Sequence, residues 1–133
     1  MKKLVDTSVA IKWSVEEEGS DAAFVLYGPQ SAIPDVLLPE LANVLWKKVR
    51  KGQIGSEQAL AAYHEILTDF EIVSTRGLEQ RALELSLLLD HPAYDCFFLA
   101  AAEAGNTMLV TADLKFIAKC ENTPFVRYLQ PLA

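Results

Sequence analysis

Short apolar runs alternate with longer segments of helical periodicity along the chain, and this alternation constrains the fold more than any other feature. Four runs read as strands, at 3–5, 31–33, 71–75 and 108–111. The segments between them carry apolar residues at helical spacing, with Ser, Gly and Pro at their boundaries. Strands separated by helices predict a mostly parallel sheet that is covered by helices on both faces.

Helices are predicted for most of the remaining chain. Thr7 or Ser8 is expected to cap the first helix, and Ser20 is expected to cap the second, which Gly28 closes. The other predicted helices lie at 36–51, 56–69, 77–89, 94–105 and 113–119, and a last edge strand is predicted at 125–129.

Composition and charge narrow the class of protein. The 133 residues are 51% apolar, which is enough to bury a core, so we expect one domain spanning 1–133. No apolar stretch reaches the roughly 18 residues needed to cross a bilayer. The N-terminus is also a poor signal peptide, which favours a cytoplasmic protein. A net charge of −6 argues against a protein that coats nucleic acid non-specifically.

Two of the predicted strands are followed by an aspartate. Asp6 comes directly after the run KKLV, and Asp113 comes one residue after MLVT. Right-handed crossovers place the carboxyl ends of parallel strands on one rim, where ligands bind in sheets of this kind. We therefore expect both carboxylates to lie at that rim.

Two further acids occupy the apolar faces of predicted helices. Glu40 lies on the stripe that contains Leu37 and Val44, and Asp95 shares a face with Phe98. A charge directed at the core is costly unless something pairs with it. Both acids are near helix N-termini and are predicted to point towards the same rim.

Each acid also has a purely structural interpretation. Asp95 can complement the dipole of its helix, Asp113 can cap the helix that follows, and Asp6 can be a cap or a turn residue. Glu40 is the hardest to explain in this way, because Asp35 is the better capping residue. Four acids that converge on one rim favour a shared acidic pocket.

A pocket of carboxylates suits a hard divalent cation. Mg²⁺ and Mn²⁺ prefer oxygen ligands, and clustered acids without an ion repel each other until one takes up a proton. A bound ion can orient water for attack on phosphorus.

The chain offers no rival catalytic set, since His64 is expected on a helix surface and His91 in a loop, as a structural or solvent-facing residue. A glycine-rich phosphate loop is also missing from the sequence.

Three sequence blocks, in their order along the chain, resemble those of PIN-domain proteins, and most closely VapC-type toxins of bacterial toxin–antitoxin pairs. The blocks are VDTSVAIKW, PDVLLPELANVLWK and AYDCFFLAAAEAGNTMLVTADLKF. The resemblance covers essentially the whole chain. It implies an α/β fold, a three-layer α/β/α sandwich with a five-stranded, mostly parallel sheet, and a Mg²⁺- or Mn²⁺-dependent endoribonuclease.

The acidic positions of this family fall on the four acids already singled out. The resemblance implies that they are catalytic and bind the metal ion: Asp6, Glu40, Asp95 and Asp113. The three aspartates would hold the ion directly or through water, and Glu40 would either bind it or position the attacking water.

The resemblance also implies polar groups around these acids. Hydroxyl groups that orient carboxylates are expected at Thr7 or Ser8 and at Thr111. Asn43 matches a frequent polar position, although a hydrogen bond between helices explains it equally well.

RNA, a cognate VapB-type antitoxin and a second copy of the chain are the partners that the resemblance implies, with no membrane involved. The acidic net charge fits a basic antitoxin segment. Lys12, Lys115 and Lys119 lie on elements next to the rim, whereas the cations near residue 50 are better explained by the dipole of their helix. Candidate apolar contacts are Trp13, Phe24, Tyr27 and Trp46.

Three other functions are compatible with an acidic pocket on this kind of sheet. A phosphoacceptor receiver domain needs two adjacent acids after the first strand and an aspartate after the third, where this chain has Ser74 and Thr75. A haloacid-dehalogenase-like phosphatase needs Asp-x-Asp after the first strand, where this chain has Asp6, Thr7 and Ser8. A binding module on the same fold without catalytic activity is the third alternative.

Overall fold

A computed structural model of the chain describes residues 2–133, which form five strands, seven α-helices and one 3₁₀ helix. The strands are β1 (Lys3–Val5), β2 (Ser31–Pro34), β3 (Glu71–Val73), β4 (Leu109–Thr111) and β5 (Leu129–Pro131). The helices are α1 (Thr7–Ser14), α2 (Ser20–Phe24), α3 (Leu37–Arg50), α4 (Ser56–Asp69), α5 (Glu79–Leu89), α6 (Ala93–Gly105) and α7 (Leu114–Cys120), and the 3₁₀ helix is Pro124–Tyr128.

The five strands form one sheet in the order β3-β2-β1-β4-β5, and every neighbouring pair is parallel. The chain moves outwards from β1 to β3 through α1 to α4, and then crosses back to β4 through α5 and α6. Because crossovers between parallel strands are right-handed, movement in opposite directions places helices on opposite faces. The predicted three-layer α/β/α arrangement is confirmed.

The strand order reverses between β1 and β4, which are hydrogen-bonded neighbours in register at Leu4↔Leu109 and Val5↔Val110. Val5 of β1 and Val110 of β4 are buried and apolar, Thr111 at the end of β4 is buried and polar, and α6 packs against both strands. Alanines 100–102 on α6 are almost fully buried, so the backbone of this helix lies close to the sheet. The crevice at the carboxyl ends of β1 and β4 is therefore the expected ligand site of this topology.

A receiver domain has a different strand order, 2-1-3-4-5, so the fold excludes that alternative.

The predicted last edge strand exists, but its predicted limits of 125–129 were wrong. Residues Pro124–Tyr128 form the 3₁₀ helix instead, and β5 begins at Leu129. Pro124 suits the first position of a helix because its missing N–H has no partner to lose there. Thr123 accepts a hydrogen bond from the Phe125 N–H and caps the turn.

Three predicted helix caps were also wrong. Asp6, rather than Thr7 or Ser8, caps α1, and Gly19 rather than Ser20 precedes α2. Asp35 does not cap α3, because its Oδ1 accepts hydrogen bonds from the backbone N–H and the hydroxyl of Thr75. These contacts join segments that are far apart in sequence, so local preference did not reveal them.

The predicted position of His64 on a helix surface is confirmed, because this residue is exposed on α4. Cys96 and Cys120 are buried free thiols. Of the candidate apolar contacts, Trp13 is partly buried against the core and stacks on Phe70 at 4.7 Å between ring centroids, whereas Phe24 and Trp46 are about half exposed. Within residues 2–133, none of the helices has the length and apolar character that a membrane span requires.

Candidate metal centre

The four acids predicted from the sequence line one cavity of about 250 Å³ at the carboxyl rim of the sheet. Asp6 follows β1, Glu40 lies in the first turn of α3, Asp95 lies in the first turn of α6, and Asp113 precedes α7. Thr7, Ser8, Ile11 and Val44 complete the lining. Four segments that are distant in the chain thus bring carboxylates to one place, as expected.

Asp6 is the most buried of the four acids, with 4% of its surface exposed. Ser8 Oγ donates a hydrogen bond to its Oδ1 at 2.5 Å, Thr111 Oγ1 donates to its Oδ2, and the Val9 N–H donates to Oδ1. Burial raises the pKa of Asp6 from 3.8 to about 6, because the hydroxyl donors offset only part of the desolvation and the charge of Asp95 adds to it. Asp6 therefore caps α1, and burial disfavours its ionised form.

The hydroxyl groups of Ser8 and Thr111 connect the ends of β1 and β4. Besides their bonds to Asp6, Ser8 Oγ accepts a hydrogen bond from the Ala112 N–H at 2.9 Å, and Thr111 Oγ1 accepts one from the Asp113 N–H at 3.1 Å. Each hydroxyl thus donates to one carboxylate and accepts from the backbone of the β4–α7 turn. This network holds the first and last acids of the site in a defined relation.

Asp113 has the capping role that was considered for it. Its Oδ1 accepts hydrogen bonds from the N–H groups of Lys115 and Phe116, at 3.1 and 3.2 Å. Within residues 2–133 its second oxygen, Oδ2, receives no hydrogen bond, and the residue lines the acidic cavity. The cap therefore orients this carboxylate without occupying both of its oxygens.

Glu40 and Thr7 form another part of the cavity wall. Burial raises the pKa of Glu40, the nearby Thr7 hydroxyl lowers it, and the charge of Asp95 raises it further. Thr7 is 6% exposed, and its Oγ1 has no hydrogen-bond partner of normal geometry within residues 2–133. An unpartnered buried hydroxyl beside carboxylates is costly unless a ligand or water completes it.

His91 is the residue that sequence reasoning missed. It was expected to be structural or to face solvent, but its Nε2 lies 2.6 Å from Asp95 Oδ2, and only 10% of its side chain is exposed. One ligand atom from each of His91, Asp95 and Asp113 lies within 4.8 Å of the others. The four-residue spacing between His91 and Asp95 was the available signal, but a histidine in a loop is more often structural or solvent-facing, so the spacing alone did not assign it to the site.

Asn43 and Lys12 are not among the residues that line the acidic cavity. Asn43 is exposed and lines a neighbouring cavity of about 520 Å³ with Glu40, Tyr94 and Phe97, and it makes no side-chain hydrogen bond within residues 2–133. The hydrogen bond between helices that was considered for it is therefore missing. Lys12 lies on α1, an element next to the rim, and its Nζ binds Glu17 Oε1 at 3.2 Å and the Glu18 carbonyl at 2.6 Å.

The residues present fit a hard divalent cation. The cavity offers oxygen donors from four carboxylates, and the Thr7 hydroxyl next to them lacks a partner. Within the described chain, no lysine or arginine forms a salt bridge with any of the four acids. Crowded carboxylates, of which Asp6 and Glu40 have raised pKa values, without a lysine or arginine paired to them are the electrostatic condition that a bound cation relieves.

Known proteins of similar sequence and structure have the same overall fold. The chain is 28% identical to ribonuclease VapC3 of Pyrobaculum aerophilum over 124 residues, which cover 90% of this chain and 95% of that protein. VapBC2 of Rickettsia felis, solved with a DNA fragment from its promoter, superposes with a TM-score of 0.73 over 100% of both chains at 19% identity. A toxin–antitoxin complex of Klebsiella pneumoniae gives a TM-score of 0.70 at 18% identity, over 97% of this chain and 96% of that one.

The family model that describes the PIN domain matches residues 3–122. This range includes the whole acidic cavity and four of the five strands. The chain belongs to the PIN domain family.

Proposed function

We propose that this protein is a metal-dependent endoribonuclease that hydrolyses RNA phosphodiester bonds. The observation that carries the proposal is the cavity in which Asp6, Glu40, Asp95 and Asp113 meet at the switch point of a parallel sheet. Membership of the PIN domain family and the likeness to a protein named ribonuclease VapC3 support it.

The four acids have two kinds of role in this proposal. Asp6, Asp95 and Asp113 would hold Mg²⁺, or Mn²⁺ in its place, which would supply charge neutralisation for a phosphodiester and activation of water. Ser8 and Thr111 keep the Asp6 carboxylate in one orientation through their hydrogen bonds. Glu40, whose pKa is raised by burial, is suited to position the attacking water and accept its proton.

We further propose that the chain is the toxin of a toxin–antitoxin pair and acts in the cytoplasm. Support comes from the folds of the Klebsiella pneumoniae and Rickettsia felis proteins, which were solved as members of such pairs. A VapB-type antitoxin with a basic segment would complement the net charge of −6. A homodimer of single-domain chains is the expected state of the free toxin.

Cleavage of structured RNA by the purified protein tests the proposed activity. We expect cleavage with Mg²⁺ or Mn²⁺ and none with EDTA. The Asp6→Asn variant, purified in the same way, should be inactive, which excludes a contaminating ribonuclease. A wild-type protein that binds Mn²⁺ but cleaves no RNA would show a binding module without catalytic activity and would overturn the proposal.

Solution mass and co-purification test the proposed partners. We expect the isolated chain to elute at about twice its mass of 14.7 kDa. Co-expression with the product of a neighbouring antitoxin gene should give a stable complex that no longer cleaves RNA. A chain that stays monomeric and active in the presence of every such product would contradict the assignment as a toxin.

A further inference from the structure

The loop that joins α5 to α6 holds His91 in a fixed position. Asp90 ends α5 in the left-handed conformation, with φ of 50°. Ser86 on α5 forms two hydrogen bonds with the backbone of His91. Its hydroxyl donates to the His91 carbonyl at 2.5 Å, and its carbonyl accepts from the His91 N–H at 3.2 Å. The imidazole also packs against Phe116, with 4.8 Å between ring centroids. Backbone and ring are thus both restrained.

This restrained ring is directed at one oxygen of one acid. His91 Nε2 lies 2.6 Å from Asp95 Oδ2, and Oδ1 of the same carboxylate receives no hydrogen bond from the residues that the structure describes. An ionised carboxylate only accepts hydrogen bonds, so Nε2 must carry the proton in this contact. The contact therefore fixes the rotation of the Asp95 carboxylate and leaves Oδ1 available.

Asp95 lies close enough to the other three acids to interact with each of them. Its charge acts on both Asp6 and Glu40, and its carboxylate lies within 4.8 Å of a ligand atom of Asp113. Ser8 and Thr111 orient Asp6, and the first turn of α7 orients Asp113. His91 is the group in the described structure that does the same for Asp95.

We propose that His91 is a positioning residue that holds the Asp95 carboxylate for binding of the divalent cation. This inference rests on the proposed metal centre and extends it to a residue outside the four acids. Direct ligation by His91 in this arrangement is disfavoured, because two ligands at about 2.1 Å from an octahedral ion lie about 3.0 Å apart, whereas Nε2 and Oδ2 are closer. A hydrogen bond to a ligating carboxylate is the contact expected at this distance.

Titration of the metal-free protein with Mn²⁺, followed by calorimetry, tests this role without relying on catalysis. His91→Phe keeps a ring against Phe116 but removes the donor, and we expect it to weaken Mn²⁺ binding about 10- to 100-fold. His91→Gln replaces Nε2 with an amide donor and should bind within about threefold of wild type. His64→Gln changes an exposed histidine on α4 and serves as the matched control.

The outcomes separate this role from the proposed function. Wild-type binding of Mn²⁺ with undiminished binding by H91F would overturn the role of His91 alone. Wild-type protein that binds no Mn²⁺ would overturn the metal centre and with it this role. Nitrogen coupling from His91 in the pulsed electron paramagnetic resonance spectrum of bound Mn²⁺ would show direct ligation and also overturn it. If H91F does not fold, His91→Asn removes the same contact, because its side chain is too short to reach Asp95.

Discussion

Two aspartate–threonine pairs lie at the carboxyl rim of the sheet, and they have different surroundings. Thr111 donates to Asp6 across β1 and β4, and Thr75 donates to Asp35 across β2 and the segment after β3. Asp35 also accepts a hydrogen bond from the Thr75 N–H, so both hydrogen bonds of its side chain come from the same residue. Asp6 instead shares a cavity with three other acids. The same kind of aspartate–threonine pair joins two strands in one region and belongs to an acidic cluster in the other.

The two pairs differ in the number of acidic neighbours because helices α3 and α6 bring acids to only one of them. Glu40 reaches the Asp6 pair from α3, and Asp95 reaches it from α6. The Asp35 pair lies next to the edge strand β3, away from the strand reversal. A carboxylate with its hydrogen bonds satisfied and no acidic neighbour stabilises the fold, whereas a crowded, buried one favours a cation. Four predictions test this distinction.

The largest difference between the two pairs should be in catalysis. We expect Asp6→Asn to lower metal-dependent RNA cleavage by at least about 100-fold, since loss of about 3 kcal/mol of charge stabilisation corresponds to two powers of ten. Asp35→Asn should change the rate by no more than about threefold, because it lies outside the cavity. Cleavage rates at saturating Mn²⁺ measure both. Equal losses in the two variants would remove the distinction.

The second difference should be in the pH dependence of stability without metal. The folded protein binds the Asp6 proton more tightly than the unfolded chain, with pKa about 6 against 3.8. Protonation of Asp6 therefore stabilises the folded state fully below pH 3.8, and this stabilisation is lost as pH rises through about 6. Its full size is about 3 kcal/mol at 1.36 kcal/mol per pH unit.

Urea unfolding in EDTA between about pH 4 and pH 7 measures this loss. Asp6→Asn should flatten the profile and be more stable than wild type at neutral pH by roughly 1–3 kcal/mol, because it removes a buried anion. Asp35→Asn should keep the wild-type slope. A wild-type stability that rises steadily over this range would contradict the raised pKa of Asp6.

Removal of the Asp35 side chain should have the opposite effect on stability. Asp35→Ala leaves the buried Thr75 hydroxyl and its N–H without their acceptor, which we expect to cost about 1–3 kcal/mol in any buffer. Asp35→Asn keeps an acceptor oxygen and should cost less. Thermal or urea unfolding measures the difference. An unchanged stability for Asp35→Ala would mean that water replaces the Asp35 carboxylate.

The smallest effect on stability is expected at Asp113, which both caps α7 and lines the acidic cavity. Asp113→Asn keeps an acceptor for the Lys115 and Phe116 N–H groups, so its metal-free stability should lie within about 0.5 kcal/mol of wild type, whereas Asp113→Ala should lose about 1 kcal/mol. Both variants should bind Mn²⁺ more weakly. A larger loss of stability in the Asn variant would make Asp113 mainly a structural cap.

Periodicity predicted the acids better than it predicted their partners. Glu40 and Asp95 could be identified because each falls on the apolar face of its helix, and the helix at 56–69 was predicted with the observed limits. His91 was missed because its contact depends on a left-handed turn at Asp90 and on Phe116 from α7. The contacts of Lys12 were not predicted, because Glu17 and Glu18 lie beyond the end of α1 and turn back to bind it.

The sequence by itself determined the local elements and the position of each acid at the end of a strand or in the first turn of a helix, because spacing and capping act over a few residues. The tertiary structure alone decided the strand order, which places Asp6 beside Thr111, more than a hundred residues away in sequence. It also decided that Asp35 is paired and Asp6 crowded. Burial and charge repulsion depend on which distant segments pack together, and that information is not contained in any short stretch of the chain.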